Sequence, residues 1–360
     1  MKTVVLTCIQ SILLALAVTG MLWACKSEKD TDDKSHKPAS AAGSLSGRIT
    51  VDGSSTVFPL AKAMAETFRE ANPTVQFAID VSGTGGGFKK FCAGQLDIAA
   101  ASRPIKSAES EQCKTQHIEY IEVPIAFDSL SVVVNAKNTF VECLTVKELK
   151  AMWEPAAEGK VKQWNQIRTS FPAQPLALFG PGKDSGTFDY FTLAIVGTES
   201  SGRDDYTKSE DDMVIERGVA ADPNALGYFG YAYYQANKDR VKIVAVDNGH
   251  GCVVPSAQTV ADATYQPLSR PLFLYVRLTA AARPEVKAFT RLFLSSQSKE
   301  YVTKVGYVPL PTAALVLQAS RFERGVTGSI LGGHGSVTGV KLDAFDEEKE
   351  RDRIRSQLVQ

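Results

Sequence analysis

The sequence predicts an α/β protein built on open, largely parallel sheets that helices cover on both faces. Two observations carry this. Short runs with strand periodicity alternate with stretches whose apolar residues fall at helical spacing. Three of the strand-to-helix joints are made of Gly, Ser and Thr: Gly53-Ser54-Ser55-Thr56-Val57, Ser82-Gly83-Thr84-Gly85-Gly86-Gly87 and Asp184-Ser185-Gly186-Thr187.

The chain opens on Lys2 and an apolar run from Val4 to Ala24, the pattern of a secretory signal over residues 1–24. Leu22-Trp23-Ala24-Cys25 resembles a bacterial lipobox, with Cys25 as lipid acceptor. Residues 25–47 are charged, then rich in Ser and Ala, and read as a flexible tether. The first strand is "RITVDG". A helix follows, with Pro59 in its first turn, Leu60, Met64 and Phe68 at helical spacing, and an Asn72-Pro73 stop. Val75, Phe77, Ile79 and Val81 alternate as a strand, and "LDIAAAS" reads as a buried one. Further strands are expected at "SLSVVVN", "PLALF", "VKIVAV" and "RPLFLYV", and helices at "TVKELKAMW", "TFDYFTLAIV" and "PEVKAFTRLFLSS". No repeat of fixed period is present, and no second apolar run is long enough to cross a membrane.

The formal charge is zero, with 40 basic and 40 acidic side chains, which argues against a nucleic-acid partner. Of six cysteines, Cys8 leaves with the signal and Cys25 is the lipid candidate. Four remain: Cys92, Cys113, Cys143 and Cys252. An even number in an exported chain suggests two disulfides, and sequence separation favours Cys92 with Cys113, leaving Cys143 with Cys252. The rival, a metal site, lacks any CxxC spacing, and the four histidines are scattered.

In open sheets of this class ligands sit beyond the carboxyl ends of strands. Each Gly/Ser/Thr joint places unpaired N–H groups and short hydroxyls at a helix start, where the dipole favours an anion. A single joint is no more than a helix cap. Three together point to a shared oxyanion site. Nucleotide patterns fail, because Phe88 stands where both the P-loop and the dinucleotide fingerprint need Gly. The hydrolase elbow fails at Lys183 and Asp184, and no local histidine serves Ser185 as a base. The expected ligand is therefore a small anion bound without chemistry; neither an enzyme nor a cofactor is expected. Arg103, just after the alanine strand, is the candidate counter-charge, with Glu109 or Glu111 competing for it. Arg203 is a second candidate, with its acidic neighbours competing, and Lys183 beside Asp184 reads as a solvated loop pair.

The stretches "VDGSSTVFPL", "SGTGGGFKKFCAGQLDIAAASRPI", "GPGKDSGTFDYFTLAIVG", "TKSEDDMVIERGV", "LGYFGYAYY" and "VGYVPLP", in this order from about Arg48 to about Gly335, resemble the PstS phosphate-binding proteins of phosphate ABC transporters, most of all their SphX-type branch. The resemblance implies a type II periplasmic-binding-protein fold: two α/β lobes, joined by two crossover strands, closing on one phosphate. One lobe would comprise residues 48–131 plus 255–320 and the other 132–254, with 321–360 a C-terminal extension. The Cys143–Cys252 pair would staple the second lobe near the crossings, and Cys92–Cys113 would lock a loop of the first. It further implies Ser55, Thr56 and the backbone of Val57 and Phe58 as the first phosphate loop, Thr84 with Gly85 as the second, and Ser185, Gly186 and Thr187 as the third. Arg103 stands where the best-studied members of that family have an Asp that accepts the ligand's proton. Pro181 and Gly182 stand where they have an Arg. The positive charge has changed loops, and Asp52 and Asp184, its nearest substitutes as acceptor, read as loop-structuring residues. The partners implied are inorganic phosphate, the permease subunits and, through Cys25, a membrane; a monomeric lipoprotein in the periplasm or on the cell surface is expected. The alternative ligand is another tetrahedral oxyanion, sulfate or molybdate.

Overall fold

In the computed structural model, residues 45–341 and Phe345 are described. The signal segment, Cys25, most of the tether and the charged C-terminal run lie outside the described residues. Strand β1 (Gly47–Gly53) turns Ile49 and Val51 into the core. Helix α1 (Phe58–Ala71) starts with Pro59, whose missing N–H has no intrahelical acceptor there, and buries Leu60, Met64 and Phe68 on one face. Next come β2 (Val75–Ile79) and α2 (Gly83–Cys92). Helix α2 absorbs the glycine run, against intrinsic propensity. Close approach is the reason: a Cβ on Gly87 would stand 2.7 Å from the Cα of Gly53, so only bare backbone lets α2 lie on β1.

After β3 (Ile98–Ala101) and α3 (Ser107–Thr115) comes β4 (Tyr120–Asn135), buried along its whole length. Sequence periodicity anticipates only its second half, because Glu122, Pro124 and Asp128 interrupt the first. Both acids are accommodated inside. Glu122, whose pKa burial raises, accepts from Tyr275 Oη (2.6 Å), Ser329 Oγ (2.8 Å) and the Ile330 N–H (2.7 Å); Asp128 meets Arg270.

The next stretch holds β5 (Cys143–Thr145), α4 (Val146–Trp153), β6 (Ala177–Pro181) and α5 (Gly186–Phe191), which runs on as a π turn over Thr192–Val196. Then come β7 (Thr207–Ser209), α6 (Asp212–Ala221), β8 (Ala225–Gly230), α7 (Tyr231–Ala236), β9 (Val241–Asp247) and β10 (Cys252–Val253). The chain returns through α8 (Ala257–Ala261) to β11 (Ser269–Arg277), and closes with α9 (Leu278–Ala281), α10 (Pro284–Phe293), α11 (Ser298–Val305), β12 (Val308–Pro309) and α12 (Thr312–Glu323).

Strand β4 joins two sheets. Up to Ser129 it pairs with β11 in the order β2-β1-β3-β11-β4; from Leu130 it pairs with β8, which continues through β6 to β7, while β9 flanks its other edge. The β2-β1-β3 and β8-β6-β7 ladders are parallel, as expected. Strands β4 and β11 run antiparallel to their neighbours β8 and β3, because each arrives from the opposite lobe and enters its sheet reversed. Apolar clusters fill both faces of the first sheet, one around Met64, Leu272 and Phe289 and one around Phe88, Phe127 and Tyr275. The second lobe packs around Trp153, Trp164, Phe191 and Tyr228. Cys92 bonds Cys113 and Cys143 bonds Cys252, the pairing favoured by sequence separation. The glycine-rich tail after α12 lies along the first lobe, with the Gly328 N–H on Tyr120 O and the Gly335 N–H on Ile105 O, both at 3.0 Å.

Candidate anion-binding site

The three Gly/Ser/Thr joints meet. Thr56 Oγ1 lies 3.3 Å from Thr187 Oγ1 across the lobes, and both residues are buried. A Cβ on Gly186 would stand 2.5 Å from Thr84 Oγ1 and 2.7 Å from Ser102 Oγ, so the third loop rests directly on the second. The Gly85 N–H donates to Asp184 O at 2.7 Å, and Ser55 Oγ donates to Asp212 Oδ1 at 3.0 Å. The lobes are closed on one another.

Each loop is held by its own element. Ser54 N donates to Ala100 O (3.0 Å), and the Phe58 N–H returns to Ser54 O (3.1 Å), which puts Ser55, Thr56 and the helix-capping Val57 at the carboxyl end of β1. Tyr233 Oη fixes the Ser55 carbonyl at 2.7 Å, and Tyr307 Oη donates to that of Thr56. Thr84 sits in the first turn of α2 and shares Ser102, whose N–H and hydroxyl both lie 3.2 Å from Thr84 Oγ1. Ser185 caps α5, accepting the Thr187 N–H at 3.1 Å. Asp52 structures the first two loops, taking the Gly53 N–H, Ser82 Oγ and Lys90 Nζ. Asp184 pairs with Lys89 at 2.6 Å, and Lys183 reaches Asp204 rather than Asp184.

Arg103 and Arg203, expected as counter-charges to the anion, are both engaged by carboxylates. Arg103 is buried at 1% exposure, but its guanidinium is taken by carboxylates: Nη1 and Nη2 grip Glu109 at 2.8 and 2.7 Å, Nε donates to Asp189 of the second lobe at 2.7 Å, and Nη1 also reaches Pro104 O. Burial alone would lower its pKa, and Glu109 and Asp189 more than offset that. The capping turn of α3 is the cause, because it folds Glu109 back onto the end of β3. Four of the five guanidinium N–H groups are thereby used. Arg203 is engaged within its own lobe, by Asp205 (2.6 and 2.9 Å), Met152 O (3.0 Å) and Val161 O (3.1 Å), and so braces that lobe instead of facing the loops. It drives the Asp205 carboxyl down to about 2.

The cation that does reach the loop hydroxyls is Arg270, at the start of β11. Its Nη2 lies 3.0 Å from Thr56 Oγ1 and 2.9 Å from Thr187 Oγ1, Nη1 donates to Gly186 O at 3.2 Å, and Asp128 Oδ2 accepts at 3.1 and 3.3 Å. Burial lifts the Asp128 carboxyl to about 6 in spite of Arg270. Burial likewise lifts Asp212 to about 6, although the Gly230 N–H (3.1 Å) and Ser55 Oγ hydrogen-bond it.

A family model described as a PBP superfamily domain matches residues 38–297. The protein SphX of Synechocystis sp. is 49% identical over 286 residues, covering 79% of this chain and 85% of that protein. Among solved structures, a possible phosphate binding protein from Planctomyces limnophilus is 42% identical with a TM-score of 0.58, covering 79% of this chain and all of that one. A substrate-binding protein assigned to a phosphate ABC transporter of Clostridium perfringens, solved with bound phosphate, is 26% identical with a TM-score of 0.63, covering 74% of this chain and all of that one.

Proposed function

Because the chain belongs to the PBP superfamily, in the branch of the SphX-like phosphate-binding proteins, we propose that it binds inorganic phosphate between its lobes and delivers it to an ABC transporter for import. One observation carries the reading: three hydroxyl-bearing loops, more than a hundred residues apart at the extremes, meet at Thr56, Thr84 and Gly186-Thr187. Phosphate enters between open lobes. Closure then replaces its water with fixed O–H and N–H donors from Thr56, Thr84, Ser185, Gly186 and Thr187, with Ser55 and the Val57 and Gly85 backbone at their margin. Donors to an anion contribute roughly 1.5–3 kcal/mol each, so a handful offsets closure and leaves micromolar or tighter binding. Arg103 serves this site from its edge, tying the lobes through Asp189.

The change of sheet partner between Ser129 and Leu130 supports a lobe of residues 48–131 with 255–320 against one of 132–254. Export of the chain, lipidation of Cys25, a monomeric state and capture by permease subunits complete the reading. Phosphate is favoured over sulfate or molybdate by the relatives' descriptions. Titration calorimetry on ligand-stripped protein tests it: one phosphate per chain is expected, with sulfate failing to compete. Absence of phosphate binding refutes it.

A further inference from the structure

The three loops explain where an anion sits but not how its arrival is felt by the hinge. The two crossings pass each other where β11 pairs with β4, and the register sets Arg270 opposite Asp128. Both side chains are fully buried. From this point the guanidinium reaches outward in two directions, to Thr56 of the first lobe and to Thr187 and the Gly186 carbonyl of the second. One side chain thus touches both crossings and a ligand loop from each lobe.

Nη2 faces Thr56 Oγ1, Thr187 Oγ1 and Asp128 Oδ2 with two protons, so these acceptors share them; a guanidinium cannot accept, so neither threonine spends its own proton on it. The two hydroxyls are 3.3 Å apart, and at most one proton is spent between them. At least one therefore remains to donate to an anion. A hydroxyl that accepts from a cation is polarised into a better donor, so a bound anion and Arg270 strengthen each other's bonds through the same threonines. These bonds form together only when both lobes have reached the hinge.

We propose that Arg270 is the positioning residue that couples phosphate occupancy to lobe closure, acting through Thr56 and Thr187 on the floor made by Asp128. The inference rests on the phosphate reading above. In the open state Arg270 keeps Asp128, which shares its pair of strands, and gives up one lobe's loop.

The test is Arg270→Lys, which keeps a cation for Asp128 but lacks the planar fork needed to serve both lobes at once. Because a buried pair is sensitive to any change, Arg270→Met combined with Asp128→Asn removes it as a unit. For each protein, phosphate affinity is measured by calorimetry, and the radius of gyration by small-angle X-ray scattering without phosphate and at saturation. Wild type is expected to bind and compact. The variants are expected to lose about tenfold or more in affinity, because phosphate then stays on one lobe's loop without drawing in the other. Even when saturated, they should compact less than wild type. A merely structural role would lower the ligand-free melting temperature yet leave full compaction at saturation, and that result overturns the proposal. So does wild-type affinity in both variants. A wild type that binds no phosphate overturns the phosphate reading and this inference with it.

Discussion

Two arginines are buried close to the interlobe loops, and their surroundings differ. Arg103 is enclosed by Glu109 and Asp189, with Lys106 2.9 Å from Asp189 to balance the charge. Arg270 has one carboxylate, Asp128, and gives its other contacts to two hydroxyls and a carbonyl. With the acids ionised each group sums to zero, Arg103 and Lys106 against Glu109 and Asp189, and Arg270 against Asp128. Attraction for an anion therefore comes from oriented N–H and O–H groups rather than from net charge. A cation saturated by carboxylates ties elements together, whereas one shared with hydroxyls can also aim their protons.

Removing each guanidinium separates the two roles. Arg270→Met leaves Asp128 fully buried without its partner, and breaking such a pair costs about 3–5 kcal/mol. Arg103→Ala is expected near or below the bottom of that range, because Glu109 is 15% exposed and Lys106 remains beside Asp189. Urea unfolding of the two variants measures the order. A larger loss for Arg103→Ala would reverse the assignment of roles.

The loops were legible because their chemistry is local: Gly, Ser and Thr between a strand and a helix mean donors at a helix start wherever the chain goes. Arg270 was not, because its meaning lies in register. In "SRPLFLYV" it reads as a charge at the mouth of a strand. Only its pairing with Asp128, 142 residues earlier, turns it inward. A signal did exist. Asp128 interrupts the apolar run from Ile125 to Val134, and two opposite charges set in apolar strands need each other. The glycines of Ser82–Gly87, read as a joint before a helix, lie inside α2 for a related reason, since propensity weighs the chain against water, and the contact with Gly53 that makes glycine necessary is tertiary. Arg103 was placed correctly at the end of β3. What a local reading left open was how the capping turn of α3 would dispose of Glu109.

A substitution that touches neither arginine probes the contact between the lobes itself. Gly186→Ala adds a methyl group 2.5 Å from Thr84 Oγ1 and 2.7 Å from Ser102 Oγ, both in the opposite lobe. Opening relieves the clash, so folding is expected to survive while phosphate affinity falls by about tenfold or more. Calorimetry beside a melting curve separates the two. Equal losses in both would mean that the lobes cannot part at this contact.

Glu210 sits where Gly182 and Gly83 leave room for it. A Cβ on Gly182 would stand 2.1 Å from Oε1, and one on Gly83, in the other lobe, 2.9 Å from Oε2. The Asp184 N–H donates to Oε1 at 3.2 Å. Burial, then the neighbouring charges of Asp184, Asp212 and Asp189, raise the carboxyl to about 7. A folded-state pKa above the unfolded value means that folding and closure take up a proton; this contribution is complete below about pH 4.5 and is lost as pH rises through 7. Glu210→Gln, uncharged throughout, should therefore melt higher than wild type at about pH 8, with the gain vanishing near pH 5. Phosphate's own titration is common to both proteins and cancels from the difference between their melting temperatures in saturating phosphate. A pH-independent difference would show that Glu210 titrates alike in the folded and unfolded protein, and closure between Gly83 and Gly182 would then carry no proton.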